Sequence, residues 1–393
     1  MKERSMKRMV RNERGMALAV AIMALVVVGA LVAGALYVGT QEQRVGENQR
    51  RIGQSFGVAE AALVEEANPA NWNNDVYNVM PNYPMDTAKL AWPTWKTAPG
   101  GTGKYGGYMV KMNDNLYFMD MTGSDQVSRS GALQDGGARQ RLGMILRIRP
   151  LTVPMQASLT TQGNVSLGGQ AEVDGTDQNP TGWTDCAPPD TNKAGIRTSS
   201  SGNVTTSGSA TISGEPPVVK DPTVADSTFT KFGELLWNDL TAMATWKIPG
   251  GTYKTQPSFV GGACNKADQL NWGDGIDRLS ACGNYFPIIH ITGSTTLNGV
   301  QGQGILLVDG DLNVDGSYEF FGITIIQGDM RTAGGGTSEA HFWGMTMARN
   351  ADLSEQKLSG KATLNYSKCA INEALQKTGK VAQMRSRGWA HLF

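Results

Sequence analysis

Reactive side chains are sparse in this chain of 393 residues, which holds three histidines and four cysteines. Neither H-E-x-x-H nor C-x-x-C occurs, so the usual zinc-peptidase and zinc-ribbon patterns are missing. Carboxylates offer more. Asp309, Asp311, Asn313 and Asp315 alternate along one segment and carry the oxygen ligands that calcium prefers. An EF-hand would need glycine where Val314 stands and glutamate where Phe320 stands. On a strand these odd-numbered side chains face solvent, while Val308, Leu312 and Val314 face a core. Asp309, Asp311 and Asp329 could also act as the acid and base of a polysaccharide-cleaving enzyme, though nothing in their setting singles them out. Gly100-Gly101-Thr102-Gly103-Lys104 falls short of a phosphate loop, because Ala98 replaces the first glycine and Tyr105 the Ser/Thr. The expectation is a non-enzyme with no catalytic, cofactor-binding or metal-binding residue assigned, and no cofactor.

The four cysteines, Cys186, Cys264, Cys282 and Cys369, allow three pairings that sequence alone does not separate. A Cys264–Cys282 bond is favoured because it closes a short glycine-rich loop; Cys186 and Cys369 could then pair, or stay free.

The elements that must carry these residues begin with a strong asymmetry. Thirty-five basic and thirty-five acidic residues balance overall, so no net field draws the chain to nucleic acid. Yet Lys2, Arg4, Lys7, Arg8, Arg11 and Arg14 crowd the start, and from Gly15 to Gly39 no charge occurs. At about 1.5 Å per helical residue, residues 16–39 span roughly the 30 Å of a bilayer core. Basic residues stay cytoplasmic, which puts the rest of the chain on the far side of an inner membrane, periplasmic or extracellular. The run is too long for a cleaved secretory signal. Without proline, the helical period continues through Val45, Ile52, Phe56, Ala59 and Leu63, and it ends near Asn68-Pro69. All four cysteines lie beyond it, in an oxidising compartment.

The residues of this region resemble the PilX-type minor pilin family of type IV pilus assembly. The likeness rests on Arg14-Gly15 before the apolar helix, Thr40-Gln41-Glu42-Gln43-Arg44, Asn48-Gln49-Arg50, and Ala59-Glu60-Ala61-Ala62-Leu63. It covers about residues 11–66. The resemblance implies leader cleavage by a prepilin peptidase between Gly15 and Met16, and other pilin or pseudopilin subunits as partners. Val20 stands where major pilins carry a glutamate, and Met16 where phenylalanine is common; both departures fit an accessory subunit. Without that glutamate the helix must pack by shape, and Gly29-x-x-x-Ala33, Ala30-x-x-x-Gly34 and Ala35-x-x-x-Gly39 suit close approach.

The expected organisation is therefore a basic leader at 1–15, a hydrophobic then amphipathic helix at 16–67, and a small antiparallel sheet at 68–150. The sheet is read from Tyr105–Met112, Leu116–Met121 and Ala138–Arg149. Arg139, Arg141, Arg147 and Arg149 read as a solvated strand face rather than a nucleic-acid patch. Beyond residue 150 the chain is rich in Gly, Ser and Thr. Gly304–Val308, Gly322–Ile326 and Gly344–Met347 repeat, trailed by Asp311-Leu312, Asp329-Met330 and Asp352-Leu353. The reading is a right-handed parallel β-helix-like solenoid over 151–393, with inserted loops and a helix near 232–246; a β-sandwich is the alternative. The function expected is a minor pilin-like component of a pilus or secretion filament, in assembly or surface display. A membrane-anchored polysaccharide-acting enzyme and a tethered adhesin unrelated to pili are the alternatives.

Overall fold

The structure is a computed structural model that describes residues 3–68, 72, 80, 89–91, 95–101, 103–113, 115–125, 137–149, 151–335, 339–353, 356–357, 361–376, 380–383 and 389–392. Side chains of residues 1–15 are outside that description, as are Pro69 and Trp92.

Helix α1 runs unbroken from Glu3 to Glu66, a segment of 64 residues without proline. Its last turns bury Ser55, Val58, Ala59, Ala62 and Leu63, whereas Val45 and Ile52 are exposed. The apolar face read from the sequence is thus in contact only from Ser55 onward. What it packs on is an antiparallel sheet of β1 (Lys89–Ala91), β2 (Lys96–Thr97), β3 (Lys104–Asn113), β4 (Leu116–Ser124) and β5 (Arg139–Arg149). Asn113 accepts a hydrogen bond from the Asn115 N–H at 2.9 Å, an Asx turn that closes the β3–β4 hairpin. On β5, Leu142, Met144, Leu146 and Ile148 are buried on the helix side, joined by Met109, Tyr117, Met119 and Met121.

The last strands, Lys380–Gln383 and Trp389–Leu392, also pair with β5. The chain therefore returns to the first sheet, and these residues do not belong to the solenoid that the sequence extended to residue 393. No local pattern could announce this, because a strand's partner is chosen by the tertiary fold.

The second sheet has 17 strands, and every pairing within it is parallel, which answers to a solenoid and not to the antiparallel sandwich. Gly304, Gly322 and Gly344 stack in register. Their φ values are +108°, +133° and +128°, and a Cβ on Gly322 or Gly344 would lie 2.1 or 1.9 Å from the carbonyl oxygen of the glycine below, so only glycine fits. The coil strands are apolar on both faces. Leu306, Val308, Phe320 and Ile326 fill the interior, while Ile305, Leu307, Ile323 and Ile325 meet an outer layer. That layer includes Ala370, Ile371 and Ala374 of helix Lys368–Gln376. Burial on both faces explains the continuous apolar runs.

The stacking order departs from the chain order. Thr346–Ala348 pairs with Leu159–Thr161, and Ala351–Leu353 with Val165–Leu167, so the first solenoid segment is laid on the last coil. Residues 194–198 and 204–206 stack on that segment in turn. At the opposite end, strand Trp246–Tyr253 pairs with Ile288–Leu297 and carries Pro249.

A polar ladder follows the same order. The N–H of Asp311 donates to Ser294 Oγ (3.0 Å), that of Asp329 to Asp311 Oδ1 (2.9 Å), and Asn350 Nδ2 donates to Asp329 Oδ1 (2.8 Å). The Asn164 N–H then donates to Asn350 Oδ1 (3.0 Å) and the Asn203 N–H to Asn164 Oδ1 (3.2 Å). Met330 lies opposite Ala351, so the third rung is Asn350 and not Asp352. The expected helix near 232–246 shrinks to Trp237–Ala242, preceded by helix Asp226–Thr230 and a short hairpin, Lys231–Phe232 with Leu235–Leu236. Gly233 at φ +64° turns the chain there, and Phe229, Phe232, Leu235 and Leu240 are all fully buried.

Candidate functional site: the anchor helix and its seat

From Met16 to Val38 the helix leaves large apolar side chains in the open, with Met16 at 70% and Leu25 at 75% exposure. It is the one helix among the described residues long and apolar enough to cross a membrane. Exposing such a stripe to water would be costly, so this surface needs lipid or other apolar helices around it.

Glycine seats the helix on the sheet. A Cβ on Gly123 would stand 2.4 Å from the Ala59 nitrogen and 2.4 Å from the Ser55 carbonyl oxygen, and one on Gly103 2.7 Å from Val58 Cγ2. The backbones of β4 and α1 are thus nearly in contact. At the end of the helix, Glu66 is buried and receives hydrogen bonds from Lys96 Nζ (2.5 Å) and Tyr105 Oη (2.8 Å). Burial, and then the bond to Glu66, push the Tyr105 hydroxyl well above its ordinary pKa. On the sheet, Asp120 is buried and takes the Arg141 Nε at 2.8 and 3.0 Å. That hydrogen bond and charge raise the guanidinium's pKa further. Arg147 pairs with Glu234, and Leu151 bridges Gly233, which ties the sheet to the solenoid's outer layer.

The cleavage-junction residues, the cysteines and the three aspartates singled out from the sequence fall as follows. Gly15 and Met16 lie inside continuous helix. Cys264 and Cys282 are bonded to each other (Cα–Cα 4.8 Å), and Cys186 is bonded to Cys369 (Cα–Cα 5.7 Å). Asp311 and Asp329 are ladder rungs. Asp309 accepts the Trp237 indole N–H at 3.1 Å and lies 3.0 Å from His290 Nε2. Asp311 and Asp329 thus stand on adjacent coils, and no group of three or more His, Cys, Asp or Glu among the described residues could hold a metal ion. Thr102 of the glycine-rich segment is outside the described residues; at its edge the Ala98 N–H donates to the Gly103 carbonyl in an ordinary turn.

The sequence reading passed over two patterns. Gly53-Gln54-Ser55-Phe56-Gly57 has the spacing of a hydrolase nucleophile elbow. It lies mid-helix, however, with Ser55 buried and its hydroxyl bonded to the Ile52 carbonyl. The other is Gly-Asp/Asn-apolar, at 163–165, 202–204, 310–312 and 328–330, which marks the ladder corners and could have tied 157–206 to the C-terminal coils.

The fold thus defines a class: a long apolar-to-amphipathic N-terminal helix seated on a small antiparallel sheet, followed by a parallel solenoid. No protein-family model matches the sequence, and no characterised protein matches it in sequence. Among solved structures it is similar to the competence-associated pilin ComZ from Thermus thermophilus, at 12% identity and a TM-score of 0.27, over 86% of this chain and 97% of that one. At that score too little backbone superposes for the likeness to bear on what this chain does.

Proposed function

We propose that this chain is a minor pilin-like subunit, of PilX type, in a type IV pilus or a related secretion filament. In this reading residues 16–39 anchor it in the inner membrane and later among the helices of other pilin or pseudopilin subunits. The sheet fixes that helix to the solenoid, and the solenoid is the displayed part, without enzymatic activity. The observation that carries the proposal is α1 itself. One continuous helix is exposed and apolar from Met16 to Val38, buried against a sheet over its last turns, and carries Arg14-Gly15-Met16 just ahead of the apolar run.

Prepilin peptidase would cut after Gly15 and leave the apolar helix on the mature protein, unlike a secretory signal. Intact-mass measurement of membrane-extracted protein tests this: the expected chain begins at Met16, and one beginning at Met1 or beyond Gly39 refutes it. A Gly15→Val variant, in cells lacking the native copy, should stay as a full-length membrane precursor absent from any filament. Normal filament function with that variant would leave a tethered adhesin as the better account.

A further inference from the structure

The two ends of the solenoid are finished differently. At one end the edge strand Trp246–Tyr253 carries Pro249 and slips register between Pro249 and Gly251. Beside it, Trp272 from the loop stapled by Cys264–Cys282 is fully buried in the interior. Proline and a bulge both stop a further strand from pairing. At the other end the last coil is built from Val204–Thr206, Thr211–Ser213 and Val218–Lys220. Among the described residues each of these strands pairs on one side only, with 165–167, 172–174 and 196–198. Backbone bonds to the coil below are made at Asn203 and Ser207, at Thr211 and Ser213, and at Pro217 and Asp221. Alternation along a strand therefore turns the N–H and C=O groups of Val204, Thr206, Ile212, Val218 and Lys220 away from the solenoid. Val204, Ala210, Ile212 and Val218 line the interior but stay half-buried, where Leu306 and Val308 of the inner coils are sealed. Open edges are ordinarily blunted by charge, proline or a bulge. Here the three strands hold no proline, no residue from Thr198 to Gly214 is charged, and Lys220 is their one charge.

We propose that two copies of this chain join through this end, open coil to open coil, about a two-fold axis. Three strand edges ring an apolar centre, and a single extended peptide would pair with one and leave the other two unmet. A face of the same outline satisfies all three and covers the centre, and a second copy supplies it. With no charge from Thr198 to Gly214, the copies meet without like-charge repulsion. Addition to the opposite end is blocked at Pro249, so the contact is isologous and closes as a dimer instead of growing into a fibre. A face of three short strands is small, which sets the association in the weak, micromolar class. This surface goes beyond the filament role and does not depend on it.

The test is hydrogen exchange and sedimentation equilibrium of the full chain in detergent, dilute and concentrated. A monomer–dimer equilibrium is expected, with the amides of residues 203–220 exchanging about tenfold more slowly in the concentrated sample. Thr206→Lys/Thr211→Lys places like charges on both copies at two exposed positions. It should leave the chain monomeric, remove that concentration dependence, and keep the dilute parent's melting temperature. A dimer held by the apolar helix would survive the two lysines and leave residues 203–220 unprotected, which overturns the proposal. Exchange at 203–220 that does not change with concentration in the parent overturns it whether or not the variant folds, and assembly beyond a dimer refutes the two-fold contact.

Discussion

Replacing Gly123 by alanine adds a single methyl group where α1 and β4 touch. The added carbon would sit 2.4 Å from two backbone atoms of the helix, the Ala59 nitrogen and the Ser55 carbonyl oxygen, and 3.0 Å from Ala59 Cα. Ordinary contact is near 3.4 Å, and backbone cannot swing aside as a side-chain end can, so the helix must retreat by about 1 Å. A gap of that size forfeits a quarter to a half of the dispersion energy of the contacts it opens, here those of fully buried Ala59 and Ala62. Overpacking of this kind costs about 1–3 kcal/mol, and the rigidity of the obstacle argues for about 2 kcal/mol or more. Such a loss should lower the melting midpoint of the helix-and-sheet portion by about 4–8 °C. Gly57→Ala is the control: it lies exposed in the same helix with nothing within 4 Å of the added carbon, and should stabilise by about 0.5–1 kcal/mol. Calorimetry of the detergent-solubilised chain, with hydrogen exchange of the amides of residues 55–66, reads both. A Gly123→Ala protein that melts with the parent and keeps those amides protected would refute the close-seating argument.

Asn350→Ala removes the rung between the last coil and the first solenoid segment and leaves the Asn164 N–H without its acceptor. It should cost about 0.5–1.5 kcal/mol, since water can replace the lost acceptor at the exposed Asn164 N–H, and raise hydrogen exchange in residues 157–167 before the coils at 301–326. Reducing Cys264–Cys282, whose ends are 18 positions apart in sequence, should cost about 3 kcal/mol in the chain-entropy account; a Cys264→Ser/Cys282→Ser double variant that melts unchanged would contradict this. Bonds from the Thr223 hydroxyl and N–H, then from Arg197, hold the Asp221 carboxyl at about 2. Because the folded value lies below the unfolded one, near 4, its contribution is complete above about pH 4 and vanishes as the pH falls toward 2. Asp221→Asn should therefore flatten acid unfolding across that window.

Local composition alone makes part of this fold legible in the chain. An uncharged run from Gly15 to Gly39 can only be stable as helix in an apolar setting, and the proline-free stretch after it continues that helix. Alternation in Leu142, Met144, Leu146 and Ile148 marked one face of β5. The glycine-headed repeats at 304, 322 and 344 marked coils because each coil must meet the same steric condition at its corner. Tertiary structure alone decided the rest. Val45 and Ile52 belong to the helical stripe by spacing but stay exposed, because the sheet reaches only the last turns of α1. Residues 157–167 stack on 346–353, and 380–392 return to β5, because parallel and antiparallel partners are selected by edges that exist only once the fold has formed. The same holds for Arg197: its neighbours give no sign that one nitrogen of its guanidinium is buried without an acceptor, since that depends on Asp221 and Thr223 arriving from a later coil.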